Sequence, residues 1–340
     1  MKIPGFLNRL SVKRGVRLLF LIGAFLALAT VIPPSPPRPV PTTALARLTV
    51  VPVPLDEARP QRRRLGRVLY LRGWSLDSED PRFGAISSMQ VEGARVTALS
   101  DAGTLFEFAL PRGGGAEPVR IRALPHRPGD SKRSRDTESL ILDGDQAWIG
   151  FESINAVKRF RRAGWRETSA ARPAAMRRWP GNSGAEAMVR LRDGRFLVFS
   201  EGRDNGEPFS TVLLFEGDPA EPATRAVALR YRRPAGFRVT DAALLPDGRL
   251  LILNRRVSWF GAFAASLVVA PLPLLRSNAV IAGSEIARLQ CPLTVSNMEA
   301  LSVAREGGRT IVRIASDDNF MPLVRTLLLE FVLVEDERGG

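Results

Sequence analysis

Apolar and polar positions along this chain alternate in short runs, and the runs recur. Five segments share one pattern, at residues 87–101, 138–152, 186–202, 241–256 and 299–318. Each opens on a polar or acidic residue, continues as an alternating apolar run, turns at a glycine, and ends a second β-rich run in a charged cluster. Their first residues, Ser87, Glu138, Glu186, Asp241 and Glu299, are 51, 48, 55 and 58 positions apart. Period-two alternation is the signature of a strand with one buried face. The corners Asp143-Gly144, Asp193-Gly194 and Asp247-Gly248 put a glycine where a tight hairpin needs positive φ. A third run follows each hairpin (104–110, 156–160, 210–217, 264–272 and 326–333), and some repeats carry a fourth, such as 225–233.

Four short strands recurring at about fifty residues are the mark of a β-propeller blade. A parallel sheet would need long helical crossovers, and no segment has the period for them. The expected fold is therefore all-β, a propeller of about five four-stranded blades, or six if residues 42–76 hide another. The last repeat lacks its own fourth strand. The run 65–76 suits that place, pairing the two ends of the chain and removing an exposed edge. The apolar stretch 259–275 contains Pro271 and Pro273 and falls where a third strand belongs, so it reads as a buried strand and its exit rather than a membrane helix.

The N-terminus follows a different pattern. Basic residues up to Arg17 precede the apolar run 18–32, which includes Ala27-Leu28-Ala29 and ends before Pro33-Pro34. That order is a secretory signal's, and roughly fifteen apolar residues fall short of the about 20 that a spanning helix needs. Residues 1–32 are read as a signal peptide or an inner-membrane anchor, 33–44 as a stiff Pro-rich spacer, and 45–340 as the propeller. The location expected is periplasmic or secreted, either released or attached to the inner membrane through the N-terminus.

Composition narrows the chemistry. One histidine, His126, and one cysteine, Cys291, exclude a usual His/Cys zinc site and an intrachain disulfide. Cys291 is expected to be a buried small apolar residue. The net charge is +14, and the first 29 residues, with five basic side chains and no acid, leave 44 basic against 35 acidic residues in the rest. Such a surface attracts anions. For an exported protein nucleic acid is not an expected partner; a small anionic ester is, and a monomer is expected. Carboxylates, arginines, amides and hydroxyls must carry any chemistry.

In an antiparallel blade the start of the first strand and the end of the second share one edge. Glu138, Glu186, Asp241 and Glu299 hold the first position; Asp101, Glu152, Glu201, Arg255 and Asp317-Asp318 hold the second. Convergent carboxylates suit a hard cation such as Ca²⁺, which takes six to eight oxygen ligands. Interleaved arginines suit a phosphate or carboxylate. Acidic residues at strand starts also serve structure, by accepting N–H bonds from the next blade.

Several pieces look familiar: Gly73-Trp74 through Pro81-Arg82-Phe83-Gly84, Asn182-Ser183-Gly184-Ala185-Glu186, Asp193-Gly194-Arg195-Phe196, and Ser316-Asp317-Asp318-Asn319-Phe320 with Arg325-Thr326-Leu327. Together they resemble the bacterial phytase-like domain proteins, described as having esterase-like activity. The resemblance implies a propeller and an ester or phosphoester hydrolase. The chain departs from that pattern at Ser87-Ser88-Met89 and at Ala102. The leading expectation assigns catalysis to Glu299, Asp317 and Asp318, with a cation such as Ca²⁺ held by Glu138, Glu186, Glu201 and Asp241. Arg203, Arg255, Arg325 and Asn319 would hold the anionic substrate. The alternative is a propeller of the cell envelope that binds a ligand or protein without turnover.

Overall fold

The hairpins form where the Asp-Gly corners predict them. Gly194 and Gly248 sit at φ +87° and +90°, a region that side chains resist. Asp193 and Asp247 accept the N–H of Arg195 (3.1 Å) and Arg249 (2.9 Å). The structure, a computed structural model, describes residues 43–334 except 127–130, 182, 203–206, 259–261, 273–275 and 322. The expected signal or anchor segment and all but the last two residues of the spacer lie outside the described residues.

Three strands come first: β1 (Thr43–Pro52), β2 (Arg64–Leu65) and β3 (Val68–Ser78). Unit A is β4 (Ile86–Glu92), β5 (Arg95–Ser100), β6 (Thr104–Ala109) and β7 (Gly115–Ala123). Unit B is β8 (Thr137–Asp143), β9 (Gln146–Phe151), β10 (Ala156–Arg161) and β11 (Arg166–Ala171). Unit C is β12 (Ala187–Arg190), β13 (Phe196–Phe199), β14 (Phe209–Phe215) and β15 (Ala226–Arg232). Unit D is β16 (Arg238–Leu244), β17 (Leu250–Val257), β18 (Phe263–Ala270) and, after the short β19 (Val280–Ile281), β20 (Ser284–Gln290). Unit E opens with β21 (Asn297–Glu306), β22 (Arg309–Asp317) and β23 (Thr326–Leu333). Within each unit the strands pair antiparallel in a meander, while β19 pairs parallel with β15. Helix is confined to three 3₁₀ turns among the described residues.

β3 takes the fourth place in unit E. It lies antiparallel to β23, with Leu76 opposite Thr326 and Val68 opposite Leu333. The expected run 65–76 therefore does supply the missing strand. β1 then bridges β3 to β7, which joins units E and A in one sheet. In the stretch 259–275, β18 is the buried strand expected there, and its described part is no helix.

The units pack face to face. Five apolar clusters each draw on two successive units: A with B, B with C, C with D, D with E and E with A. Trp148 of β9 meets Phe196 of β13 at 5.2 Å between ring centres. Burying side chains of this size stabilises by about 1.5–3 kcal/mol each. The first strands touch in a closed sequence, β4 with β8, β8 with β12, β12 with β16, β16 with β21 and β21 with β4. The architecture is all-β and propeller-like. Cys291 is exposed, contrary to expectation, because β20 ends at Gln290 and the chain turns outward there.

Candidate acidic site on one face

A recurrent bulge builds the site. In units A, B, D and E the ladder between the first two strands slips by one residue, leaving Ser87, Glu138, Thr240 and Glu299 as the extra residues. In unit C the equivalent residue is Glu186, just before β12, whose N–H bonds to the Phe199 carbonyl at 3.0 Å. A bulge re-aims its side chain away from the pleat. Three of the five carry a carboxylate, and the hydroxyls of Ser87 and Thr240 reach the next unit's backbone at Thr137 (2.7 Å) and Met298 (3.2 Å).

This register corrects the expectation for Asp241. It stands one residue past the bulge, level with Ser88 rather than with the glutamates. Its Oδ2 accepts the Leu301 N–H at 2.8 Å, just as Ser88 accepts that of Leu140 at 3.1 Å. Its Oδ1 accepts Ala242 N–H at 2.8 Å. Asp241 stitches unit D to unit E and borders the axial cavity of about 240 Å³.

The second row falls where the spacing predicts, at the ends of the second strands. Arg255 links the two rows: Nη2 lies 3.2 Å from Glu201, Nε 3.3 Å from Glu299, and Nη1 donates to Asn297 Oδ1 at 3.1 Å. Arg238 donates to the other Glu201 oxygen at 2.9 Å. Glu201 is thus paired with two arginines. Asn297 Nδ2 donates to Glu299 at 2.6 Å and Asp317 at 3.4 Å. In unit B, carboxylate oxygens of Asp136, Glu138 and Glu152 all lie within 4.8 Å of one another.

Other expected site residues have structural roles. Asp318 accepts Ala85 N–H (2.8 Å), Phe320 N–H (3.0 Å) and the Thr326 hydroxyl (2.7 Å). It thereby pins the last unit to the first. Asn319 is exposed at φ +50°, its N–H held by Asp317 at 2.5 Å. Arg325 points away to Glu57 (3.5 Å). Arg203 lies outside the described residues. Asp136, Asn297 and Arg238 belong to the site but were not singled out from the sequence. Each stands two residues before a bulged position, the spacing that would have marked them.

Eight carboxylates (Asp101, Asp136, Glu138, Glu152, Glu186, Glu201, Glu299 and Asp317) therefore share one face. Arg238 and Arg255 bond to these carboxylates, Lys132 stands 3.9 Å from Asp101, and Arg233 is near enough to Glu201 to feel its charge. Burial, then repulsion from Glu186, Glu299 and Glu152, pushes Glu138 well above the usual carboxylate range. Burial and the charges of Glu201 and Glu152 do the same to Glu186. Burial and Asp136 raise Glu152 to about 8, and burial with Glu299 raises Asp317 to about 8. Glu299 is raised less because Arg255 and Asn297 oppose its burial.

An all-β, propeller-like fold with a buried acidic cluster at the strand edges of one face defines the class of protein. The particular family follows from the sequence: residues 81–320 match the phytase-like family, described as esterase-like activity of phytase, and the chain belongs to it. No curated protein matches. Among solved structures, glutaminyl cyclase of Myxococcus xanthus is similar at 13% identity, covering 80% of this chain and 100% of its own, with a TM-score of 0.44. The PQQ-bound aldose sugar dehydrogenase of Streptomyces coelicolor is similar at 13% identity, 79% and 99% coverage and a TM-score of 0.44. The β-propeller domain of Cps50 (Swd1) from Myceliophteria thermophila gives 12%, 75% and 98%, and 0.37.

Proposed function

We propose that this protein is an exported hydrolase of phosphoester or carboxylester bonds, working from the acidic face of a five-bladed propeller. The observation that carries the reading is the convergence of eight carboxylates on one face, with Glu186, Glu201, Glu299 and Asp317 buried and the other four half-buried; burial and mutual repulsion raise the proton affinity of Glu138, Glu152, Glu186 and Asp317. Such shifts are how acid–base groups are tuned toward neutral pH. The five interfacial clusters and the closed sequence of first-strand contacts support the count of five, and the order of basic and apolar residues in 1–32 supports export. A periplasmic or secreted location follows, with residues 1–32 removed or kept as an inner-membrane anchor.

Asp317, protonated at neutral pH, would donate a proton to the leaving oxygen. Glu299 would act as the base toward water, its orientation fixed by Asn297 and Arg255. Asp136, Glu138 and Glu152, with Glu186 behind them, are an all-oxygen donor set that fits Ca²⁺. Bound there, the ion would polarise the ester and lower the pKa of a water. The test is hydrolysis of 4-nitrophenyl phosphate and 4-nitrophenyl acetate. Glu299→Gln and Asp317→Asn should each lower kcat on the order of 10²-fold or more while the fold survives. Turnover at wild-type rates in both folded variants would sink the assignment.

A further inference from the structure

The arginines of the acidic face are already engaged, which leaves the anionic ester substrate proposed above without a forked donor there. Arg255 and Arg238 are held by Glu201, Glu299 and Asn297, so neither has a fork left for a ligand. An anion must be gripped beside the cluster, and the molecule has a cavity there.

It encloses about 340 Å³ in unit C and is lined by Arg178, Trp179, Ser183, Ser200, Phe209 and Arg230. Pro180, Gly202, Glu207, Ser210 and Thr211 also line it. Ser200 and Gly202 flank Glu201 in the chain, so the cavity wall and the acidic cluster share one backbone segment. Arg178 and Arg230 are exposed, and neither meets a carboxylate among the described residues. The Arg230 guanidinium lies 4.7 Å from the centre of the Phe209 ring, which holds its plane in place. The neighbouring wall is fixed too: Arg233 is buried and donates to the carbonyls of Phe237 (2.9 Å) and Glu207 (2.5 Å). Two arginines match the forked recognition of carboxylate or phosphate, and the Trp179 indole offers an apolar wall to what the anion is attached to.

We propose that Arg178 and Arg230 form the anion subsite, which seats the charged end of an ester substrate in unit C while the rest extends over the acidic cluster. This takes over the role that the sequence suggested for Arg255 and Arg325. The inference rests on the hydrolase reading for its purpose, but its test does not.

Inorganic phosphate and benzoate are titrated calorimetrically into the full-length protein, the Arg178→Ala/Arg230→Ala double variant, and Glu299→Gln. Wild type and Glu299→Gln should bind at least one probe with affinities within twofold of each other. The double variant should bind it at least tenfold more weakly, and Arg178→Lys/Arg230→Lys should recover part of the loss. Stronger binding of phosphate or of benzoate identifies which anion the site takes. Equal binding by wild type and double variant, or no binding of either probe to wild type at millimolar concentration, overturns the subsite. An inactive protein that still binds anion through these arginines would defeat the hydrolase reading and leave the subsite standing.

Discussion

Asp317 lies buried beside Glu299, with hydrogen bonds from Asn319 N–H and, more loosely, Asn297. Burial first, and Glu299 second, hold its proton to about pH 8 against an ordinary value of 3.8. Between those two pH values the folded chain keeps a proton that the unfolded chain has lost. Stability must therefore fall as pH rises from about 4 to about 8, by up to roughly 1.4 kcal/mol per pH unit for one such group. Thermal unfolding in chelator across that window should show the decline, and Asp317→Asn should make it shallower, the remainder coming from Glu138, Glu152 and Glu186. Asp241→Ala belongs to a different category. It leaves the Leu301 and Ala242 N–H groups unpaired in a buried contact, which costs about 1–3 kcal/mol. Denaturant unfolding should show that loss while kcat per folded molecule stays within a few-fold of wild type. The sequence places Asp241 among the site residues because Thr240-Asp241 and Glu138-Ser139 read alike in an alternating pattern. Only the ladder reveals the one-residue slip that separates their roles.

The elements were far more legible. Each third strand lies within a residue or two of its predicted run, because a buried face leaves an apolar or alternating run in the sequence: β18 is buried at all but its first residue, and β10 keeps its apolar ends around Lys158 and Arg159. The pairing of β3 with β23 could be read because the last repeat was one strand short. What the pattern hid is how close the units approach. A Cβ on Gly184 would fall 2.5 Å from the Glu152 carbonyl oxygen and 2.7 Å from Asn155 Oδ1. The Gly184 N–H also bonds to the Glu152 carboxylate. Gly184→Ala should therefore lower the melting temperature, at a cost of about 1–3 kcal/mol for overpacking, and disturb Glu152. Deleting β1–β3 would strip β23 and β7 of their outer partners and expose part of the D–E and E–A clusters. A chain beginning at Pro81 should fail to show cooperative unfolding by circular dichroism.

Across the whole molecule the charge is +14, yet eight carboxylates gather at the bulged edge, so the total says little about the site itself. A cation that binds only the native state at 100 times its dissociation constant adds about 2.7 kcal/mol of stability. The acidic face should make Ca²⁺ such a ligand, and the gain should grow from pH 5 to pH 8 as Glu152 and its neighbours lose protons. The most direct test of the central claim is ester turnover by one preparation, first in EDTA and then with Ca²⁺ restored, for wild type and Glu138→Gln. Wild-type turnover should be lost in EDTA and return with Ca²⁺, while Glu138→Gln stays inactive though folded. Turnover indifferent to EDTA and undiminished in Glu138→Gln would contradict it.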